Sequence, residues 1–467
     1  MPRFGTDGWR AIIADGFTFE NVRLIARAMS LHLKAGNQTR KGIAVGYDTR
    51  FLSREFATAF SETASACGIP VMLSRQFCPT PALSHIVKNR GLAMGVMITA
   101  SHNPSTYSGV KFKSSYGGPA MVPETRSIES FLKQATAANK MISASPARIT
   151  EVDFTRAYYS KLSRFLDGDA ISRFRAPIVF NPMHGAGIGS VDDFLGGLGV
   201  RTIAINSEPD PTFGGHGPEP IPQNLQDQVI AIRESGAKLG LATDGDADRF
   251  GILDEDGQFV QLHDLMPILF RYLVETRRWK GDVVRTTSMA DTIDKVAARL
   301  GRRVIEVPVG FKNVCEKMLD HDILIGGEES GGFGYKNHLP ERDGILSCLL
   351  VVEMLARTRQ TIKQAVAQLR RETGPFAYGR IDRHCAIPVL RRNFDKLAKS
   401  PPFRIAAAGV DRVSTLDGIK FHLRDGTWML MRISDTEPLG RIYVGSTTER
   451  RVKSTLAAGA KLLFGIS

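Results

Sequence analysis

Leu239-Gly240-Leu241-Ala242-Thr243-Asp244-Gly245-Asp246-Ala247-Asp248-Arg249 is an apolar run that ends in three carboxylates spaced by the two smallest side chains. Like charges this close disfavour one another unless a cation neutralises them. On a strand, alternate residues share a face but rise by roughly 3.3 Å per residue, too spread for one small ion. On a helix, residues i and i+2 do not face each other. A curled loop brings Asp244, Asp246 and Asp248 together, and three hard oxygen donors suit Mg²⁺, which usually also binds phosphate. Arg249 adds a bidentate partner for an anion. The pattern suggests metal-assisted phosphoryl chemistry. A solvated acidic turn and a structural Ca²⁺ loop are the alternatives. An EF-hand needs Gly at its sixth position and Glu at its twelfth. Counted from Asp244 these are Arg249 and Glu255, so one requirement fails.

The same grammar recurs along the chain. Ile43-Ala44-Val45 precedes a loop with Asp48 and Arg50, and a helical stretch from Phe56 to Cys67 stops at Gly68. Leu92 to Ile98 precedes Thr99-Ala100-Ser101-His102-Asn103-Pro104. Ile178-Val179-Phe180 precedes a loop from Asn181 to Gly187, and Ile323-Leu324-Ile325 precedes one from Gly326 to Gly332. Trp428 to Ile433 precedes Ser434-Asp435-Thr436-Glu437-Pro438. Apolar runs alternating with helical patterns predict βαβ units and largely parallel sheets. Each polar loop follows the carboxyl end of a strand, where open α/β sheets place ligand sites. The loops therefore predict one cleft shared by several domains.

A chain of 467 residues accommodates three or four domains. A linker is expected over 134–150, with further breaks near Asp254 to Gly257 and at Thr373-Gly374-Pro375. The expected domains are 1–140, 151–255, 256–371 and 375–467. Asp425-Gly426 between apolar runs signals a hairpin, so the last domain is read as α+β with an antiparallel sheet.

The net charge of +13 is compatible with nucleic acid, an anionic membrane or an anionic substrate. The excess is spread along the chain. Arg370-Arg371 and Arg391-Arg392 lack interleaved aromatics and read as solvated surface, so no nucleic-acid partner is expected. No apolar run is long enough to span a bilayer, so no membrane is expected. The first residues lack the apolar stretch of a signal peptide, and the five scattered cysteines show no metal or redox spacing. A cytoplasmic location is expected. Neither a P-loop nor a dinucleotide fingerprint is present, which disfavours nucleotide chemistry.

Ser101 lacks the flanking glycines of a nucleophile elbow. With a metal or base it can serve as nucleophile or phosphate carrier, while alone it reads as a helix-cap or turn serine. Neighbours on an extended loop point apart, so His102 need not pair with it. Lys111 follows in Gly109-Val110-Lys111-Phe112. Glu328-Glu329-Ser330, between paired glycines, suits hydrogen bonding to sugar hydroxyls or forms a plain polar turn. Arg432-Ile433-Ser434-Asp435-Thr436 offers an Arg fork, two hydroxyls and consecutive amides to phosphate oxygens, or is an ordinary turn. Asp435 is unwelcome beside a dianion.

Together the loops resemble one family, the α-D-phosphohexomutases, in order along essentially the whole chain. Phe4-Gly5-Thr6-Asp7-Gly8-Trp9-Arg10 resembles its opening motif, the Ser101 loop its phosphoserine loop, and Asp244 to Arg249 its Mg²⁺ loop. Gly327-Glu328-Glu329-Ser330-Gly331 resembles its sugar loop, and Arg432 to Pro438 its phosphate loop. The resemblance implies four domains around a central cleft, three of them α/β mixed-sheet domains of similar topology and the last α+β. It implies a phosphoserine at Ser101, with Mg²⁺ bridging that phosphate and Asp244, Asp246 and Asp248. Lys111 would be an acid/base and Arg249 a partner for the transferring phosphate, with Arg10 and His102 completing the catalytic set. Glu328 and Ser330 would hold sugar hydroxyls. Arg432, Ser434 and Thr436, with Asp435 and Arg441, would hold the other phosphate. The implied reaction interconverts hexose 1-phosphate and hexose 6-phosphate through a hexose 1,6-bisphosphate, which also serves as activator, in a monomer or homodimer.

Three departures bear on this. Gly332 stands where many relatives have His, Asp435 replaces the usual Gly or Asn, and Glu328-Glu329-Ser330 differs from the Met- and Gln-containing versions of mannose- and glucosamine-type enzymes. The last favours glucose phosphate. Mannose or glucosamine phosphate, a Mg²⁺-dependent sugar phosphatase, and a binding protein without turnover are the alternatives.

Overall fold

A computed structural model describes residues 2–5, 8–137, 146–434 and 438–465. Three of its four sheets repeat one plan. The first runs Trp9–Ile12, Tyr107–Ser114, Met94–Ile98, Ile43–Tyr47, Val71–Ser74, Ile149–Val152. It is parallel from Met94–Ile98 onward, while Tyr107–Ser114 is antiparallel to both its neighbours. The second runs Phe250–Leu253, Leu239–Thr243, Ile178–Asn181, Thr202–Ala204, and the third Val304–Val307, Asp282–Thr286, Ile323–Gly327, Phe333–Tyr335. In each, one buried parallel strand ends in a polar loop and returns as an antiparallel neighbour. The three returns carry Ser101, the Asp244–Asp248 run and Glu328. Burial on both faces explains why the parallel strands read as continuous apolar runs.

The fourth sheet is antiparallel throughout, in the order Ala377–His384, Leu439–Ser446, Trp428–Ile433, Ile419–Leu423, Ala408–Ser414, Arg404–Ile405. The expected hairpin is present, with Gly426 at φ +81° closing the turn after Leu423. Helices Ile387–Lys399 and Glu449–Phe464 complete a separate core around Leu390, Phe421, Met431 and Phe464. By contrast, one apolar cluster that includes Leu83, Met97, Phe180, Leu241, Ile325 and Leu350 draws on all of the first three sheets. Each such fully buried side chain contributes roughly 1.5–3 kcal/mol. Among the described residues no helix is long and apolar enough to cross a membrane.

Some local expectations change. The helix expected from Phe56 starts at Ser53 and ends at Ala66. The stretch expected as linker is bounded by helix Leu132–Ala137 and by strand Ile149–Val152, which pairs with Val71–Ser74. That strand is four residues long with alternating exposure, so it leaves no apolar run to detect. Residues 138–145 lie outside the described residues. Arg370 is not a solvated charge: it pairs with the buried Asp264 and lies over the Phe376 ring. Arg391 and Arg392 are exposed as expected.

Candidate active site

Ser101 sits at φ +53°, in the left-handed region, and is fully buried. Thr99 Oγ1 accepts from its backbone N–H at 2.8 Å. Arg50 holds the loop from beneath. Its guanidinium donates to the carbonyls of Ser101 (2.6 Å), Asn103 (2.7 Å), Pro104 (2.8 Å) and Tyr107 (2.9 Å), and its Nε pairs with buried Asp48 at 3.1 Å. Asp48 also accepts from Thr99 and Ser53. Arg10, on the strand opposite Gly109, donates to the Asn103 side chain. His102 Nδ1 lies 3.5 Å from Ser101 Oγ. Burial, then Arg249, Arg10 and Lys111, hold its imidazole well below its usual range, so the ring is neutral at pH 7.

The serine hydroxyl donates to Asp244 Oδ2 at 2.8 Å, across 143 residues of sequence. Gly245 permits this approach, since a Cβ there would lie 2.6 Å from the Ser101 carbonyl oxygen. Asp244, Asp246 and Asp248 are all fully buried, and one oxygen of each lies within 4.8 Å of the others. Burial excludes the reading as a solvated acidic turn. Lys111 Nζ donates to Asp246 (2.7 Å) and Asp248 (3.1 Å), Thr80 to Asp246 (2.6 Å), and Arg342 to Asp248 (2.6 Å). Each donor takes a carboxylate's Oδ2. Among the described residues, Oδ1 of Asp246 and of Asp248 are left buried without a hydrogen-bond partner. Buried acceptors left so are costly unless something else satisfies them. Burial and the Asp246 and Asp248 charges push Asp244 well above the usual carboxylate range. For Asp246 burial works the same way, but Lys111 and Thr80 outweigh it and hold the carboxyl low. An all-oxygen cage with two buried, orphaned oxygens fits a small hard cation.

The sugar loop continues the network. Glu328 Oε1 accepts from Gly310 N at 2.9 Å, and its Oε2 lies 3.8 Å from Arg342 Nη1. Burial, partly offset by Arg342, raises its carboxyl. Glu329 accepts from Ser288, and Ser330 is half-buried. Asp417 then links the fourth sheet, accepting from Val309 N (2.7 Å) and pairing with Arg432 Nε (2.8 Å). Arg441 stands opposite Arg432 in the strand register, and Ser434 N donates to Leu439 O at 2.9 Å. Asp435 and Thr436 lie outside the described residues. Polar contacts therefore lead from Ser101 to Asp244 in the cage, from Asp248 through Arg342 to Glu328, and from Glu328 through the Gly310 and Val309 backbone amides to Asp417 and Arg432. Arg249 lies beside them, its backbone N–H on Asp244 at 3.1 Å and its Nη1 3.6 Å from Glu219.

Sequence reasoning assigned no role to Thr80, Arg50, Arg342 or Asp417. Arg50 sits in a polar loop after a strand, so the strand-end rule pointed at it. Thr80, Arg342 and Asp417 reach the site only through contacts distant in sequence.

A serine hydroxyl on a buried carboxylate cage, with the Glu328 loop and Arg432 on adjoining sheets, is the arrangement the comparisons place in one family. Residues 1–139, 156–257 and 262–372 match α/β/α domains I, II and III of phosphoglucomutase/phosphomannomutase. The chain belongs to the phosphoglucomutase/phosphomannomutase family, whose members are metal-binding isomerases. It is 29% identical over 98% of both chains to the phosphoglucomutase/phosphomannomutase of Thermococcus kodakarensis. A relative from Methanothermobacter thermautotrophicus with a provisional phosphoglucosamine mutase name is 29% identical, covering 97% of this chain and 96% of its own. A crystal structure from Thermus thermophilus, provisionally named phosphomannomutase, superposes with TM-score 0.86 at 36% identity, covering 99% of this chain and 98% of its own.

Proposed function

We propose that the protein interconverts hexose 1-phosphate and hexose 6-phosphate, with glucose the preferred sugar, through a phosphoserine at Ser101. The observation that carries this reading is the 2.8 Å contact of Ser101 Oγ with Asp244 inside the carboxylate cage. A magnesium ion held by Asp244, Asp246, Asp248 and the Ser101 phosphate would neutralise charge on the transferring group. The serine O–P bond breaks as a bond forms between phosphorus and a sugar hydroxyl oxygen, and one proton passes in net from that hydroxyl to the serine oxygen. Lys111, buried beside Asp246 and Asp248, gives a proton to the serine oxygen as its bond to phosphorus breaks and recovers one from the sugar hydroxyl, and the two transfers reverse on return. Arg249, Arg10 and neutral His102 surround the moving phosphoryl group. Glu328 and Ser330 take the sugar hydroxyls. Arg432, Ser434, Thr436 and Arg441 hold the other phosphate, with Asp435 a neighbour in the same loop whose charge opposes it.

The product of the first transfer is a hexose 1,6-bisphosphate, which turns over and returns its second phosphate to Ser101. The same compound would prime an unphosphorylated enzyme. Docking of the fourth domain excludes water and limits hydrolysis. We take the domains as 1–140, 151–255, 256–371 and 375–467, in a cytoplasmic monomer or homodimer. The choice of glucose rests on Glu328-Glu329-Ser330. A coupled assay with glucose, mannose and glucosamine 1-phosphates, read together with inorganic phosphate, tests it. Hexose 6-phosphate forms fastest from glucose 1-phosphate. Dominant release of inorganic phosphate would show a phosphatase instead.

A further inference from the structure

Gly332 and Arg342 make a matched pair. A Cβ on Gly332 would lie 2.2 Å from Arg342 Cδ and 2.8 Å from its Cγ, so the arginine stem occupies the space any side chain at 332 would need. Steric room, not a left-handed backbone, accounts for the glycine, because Gly332 is absent from the positive-φ residues. The arginine is buried and lies over the Phe311 ring. Its fork reaches Asp248 at 2.6 Å and comes within 3.8 Å of Glu328. The flanking residues fix it from both sides. Glu341 pairs with buried Lys113 of the first sheet, Asp343 caps helix Gly344–Thr358, and Gly344 N donates to Ala247 O of the carboxylate loop at 3.2 Å. Gly344 is pressed there, since a Cβ would sit 2.3 Å from the Arg249 carbonyl oxygen.

We infer that Arg342 is a positioning residue that joins the carboxylate loop to the sugar loop, and that Gly332 exists to admit it. A guanidinium keeps its proton throughout the working pH range. The residue therefore places a fixed positive charge between Asp248 and Glu328 and relays no proton. It steadies Glu328 for the sugar and takes only Oδ2 of Asp248, leaving Oδ1 without a donor among the described residues. This rests on the mutase reading above.

The test is a double-mutant cycle with Gly332→Ala and Arg342→Ala. It is read by kcat, by KM for hexose 1-phosphate, and by the rise in melting temperature that Mg²⁺ produces. Each single variant raises KM at least about tenfold, the scale of one lost charged hydrogen bond. Each also shifts the Mg²⁺-induced stabilisation in the same direction. In the Arg342→Ala background, Gly332→Ala adds less than about twofold, because its obstacle is gone. Arg342→Lys recovers much of the KM, and Arg342→Met does not. These two variants decide the matter if Gly332→Ala fails to fold. Independent, multiplying effects of the two substitutions, or equal KM for the Lys and Met variants, would overturn the inference. Absence of mutase activity in the unsubstituted protein would instead overturn the reading beneath it.

Discussion

Ser101 and the carboxylates at 244–248 stand on different sheets yet meet where one apolar cluster packs the first three sheets together, with Lys111, Thr80 and Arg342 buried around them. Arg432 stands on a sheet with its own core and reaches the rest through a few polar and ring contacts. It is 15% exposed and its partner Asp417 18%. Nearby, Lys420 Nζ donates to Thr287 O at 2.7 Å, lies 3.4 Å from Glu306 and sits over the Trp428 ring, while the Tyr378 ring lies 4.3 Å from that of His263. The difference separates two tasks. Phosphoryl transfer needs groups fixed before substrate arrives, and a core shared by three sheets supplies that. Under the proposed mechanism, a clamp that releases and recaptures a sugar turned end for end is better carried on a part that docks.

The first way to break this contrast is at the cage. Asp246→Ala lowers kcat by on the order of 10³-fold, the upper end of what loss of one charge-stabilising group costs, and chelating Mg²⁺ does the same to the unsubstituted enzyme. Steady-state kinetics with glucose 1-phosphate checks both. Next is the support beneath Ser101. Arg50→Met leaves Asp48 buried and unpaired and cuts four carbonyls loose, so unfolding free energy falls by about 3–5 kcal/mol in a urea titration. On the docking side the balance reverses. Arg432→Ala raises KM by roughly 10–100-fold through loss of a charged hydrogen bond, while the melting temperature moves little.

The smallest effect sharpens the picture of docking. Burial pushes Lys420 from its ordinary 10.5 to about 8. Between those pH values the unfolded chain binds more protons than the folded one, so this group's contribution to stability grows as pH rises from about 8 to 10.5. The melting temperature of the natural protein relative to Lys420→Met should climb across that window. For Glu306 burial acts to raise the carboxyl, but Arg285 and Lys420 outweigh it and bring it from 4.5 to about 2. Its stabilising share is present above 4.5 and disappears as pH falls through about 2. A flat difference in melting temperature across the alkaline window would break the account of the Lys420 contact.

Much of the molecule was legible because the parallel strands announce themselves as apolar runs and their loops as polar breaks. Leu239–Thr243 and Ile323–Gly327 each lead into the loop read from sequence. The Asp425-Gly426 hairpin was equally plain, since its turn chemistry is local. Strand Ile149–Val152 was missed because its residues alternate in exposure within a polar stretch. Arg342 meets Asp248 across 94 residues and Asp417 meets Val309 across 108, so no local spacing marks them. Arg370 looked like a surface charge because the carboxylate that holds it lies 106 residues away on another helix. What sequence conveys well here is which loops face the cleft. What it withholds is which cation from elsewhere in the fold stands against each carboxylate.

The most direct measurement is the intact mass of the protein and the phosphorylation of Ser101, before and after one equivalent of hexose 1-phosphate with Mg²⁺. The account predicts one phosphoryl group on Ser101 that moves to sugar as the bisphosphate, and no turnover in Ser101→Ala. Full mutase activity from a protein that never carries phosphate at Ser101 would contradict it.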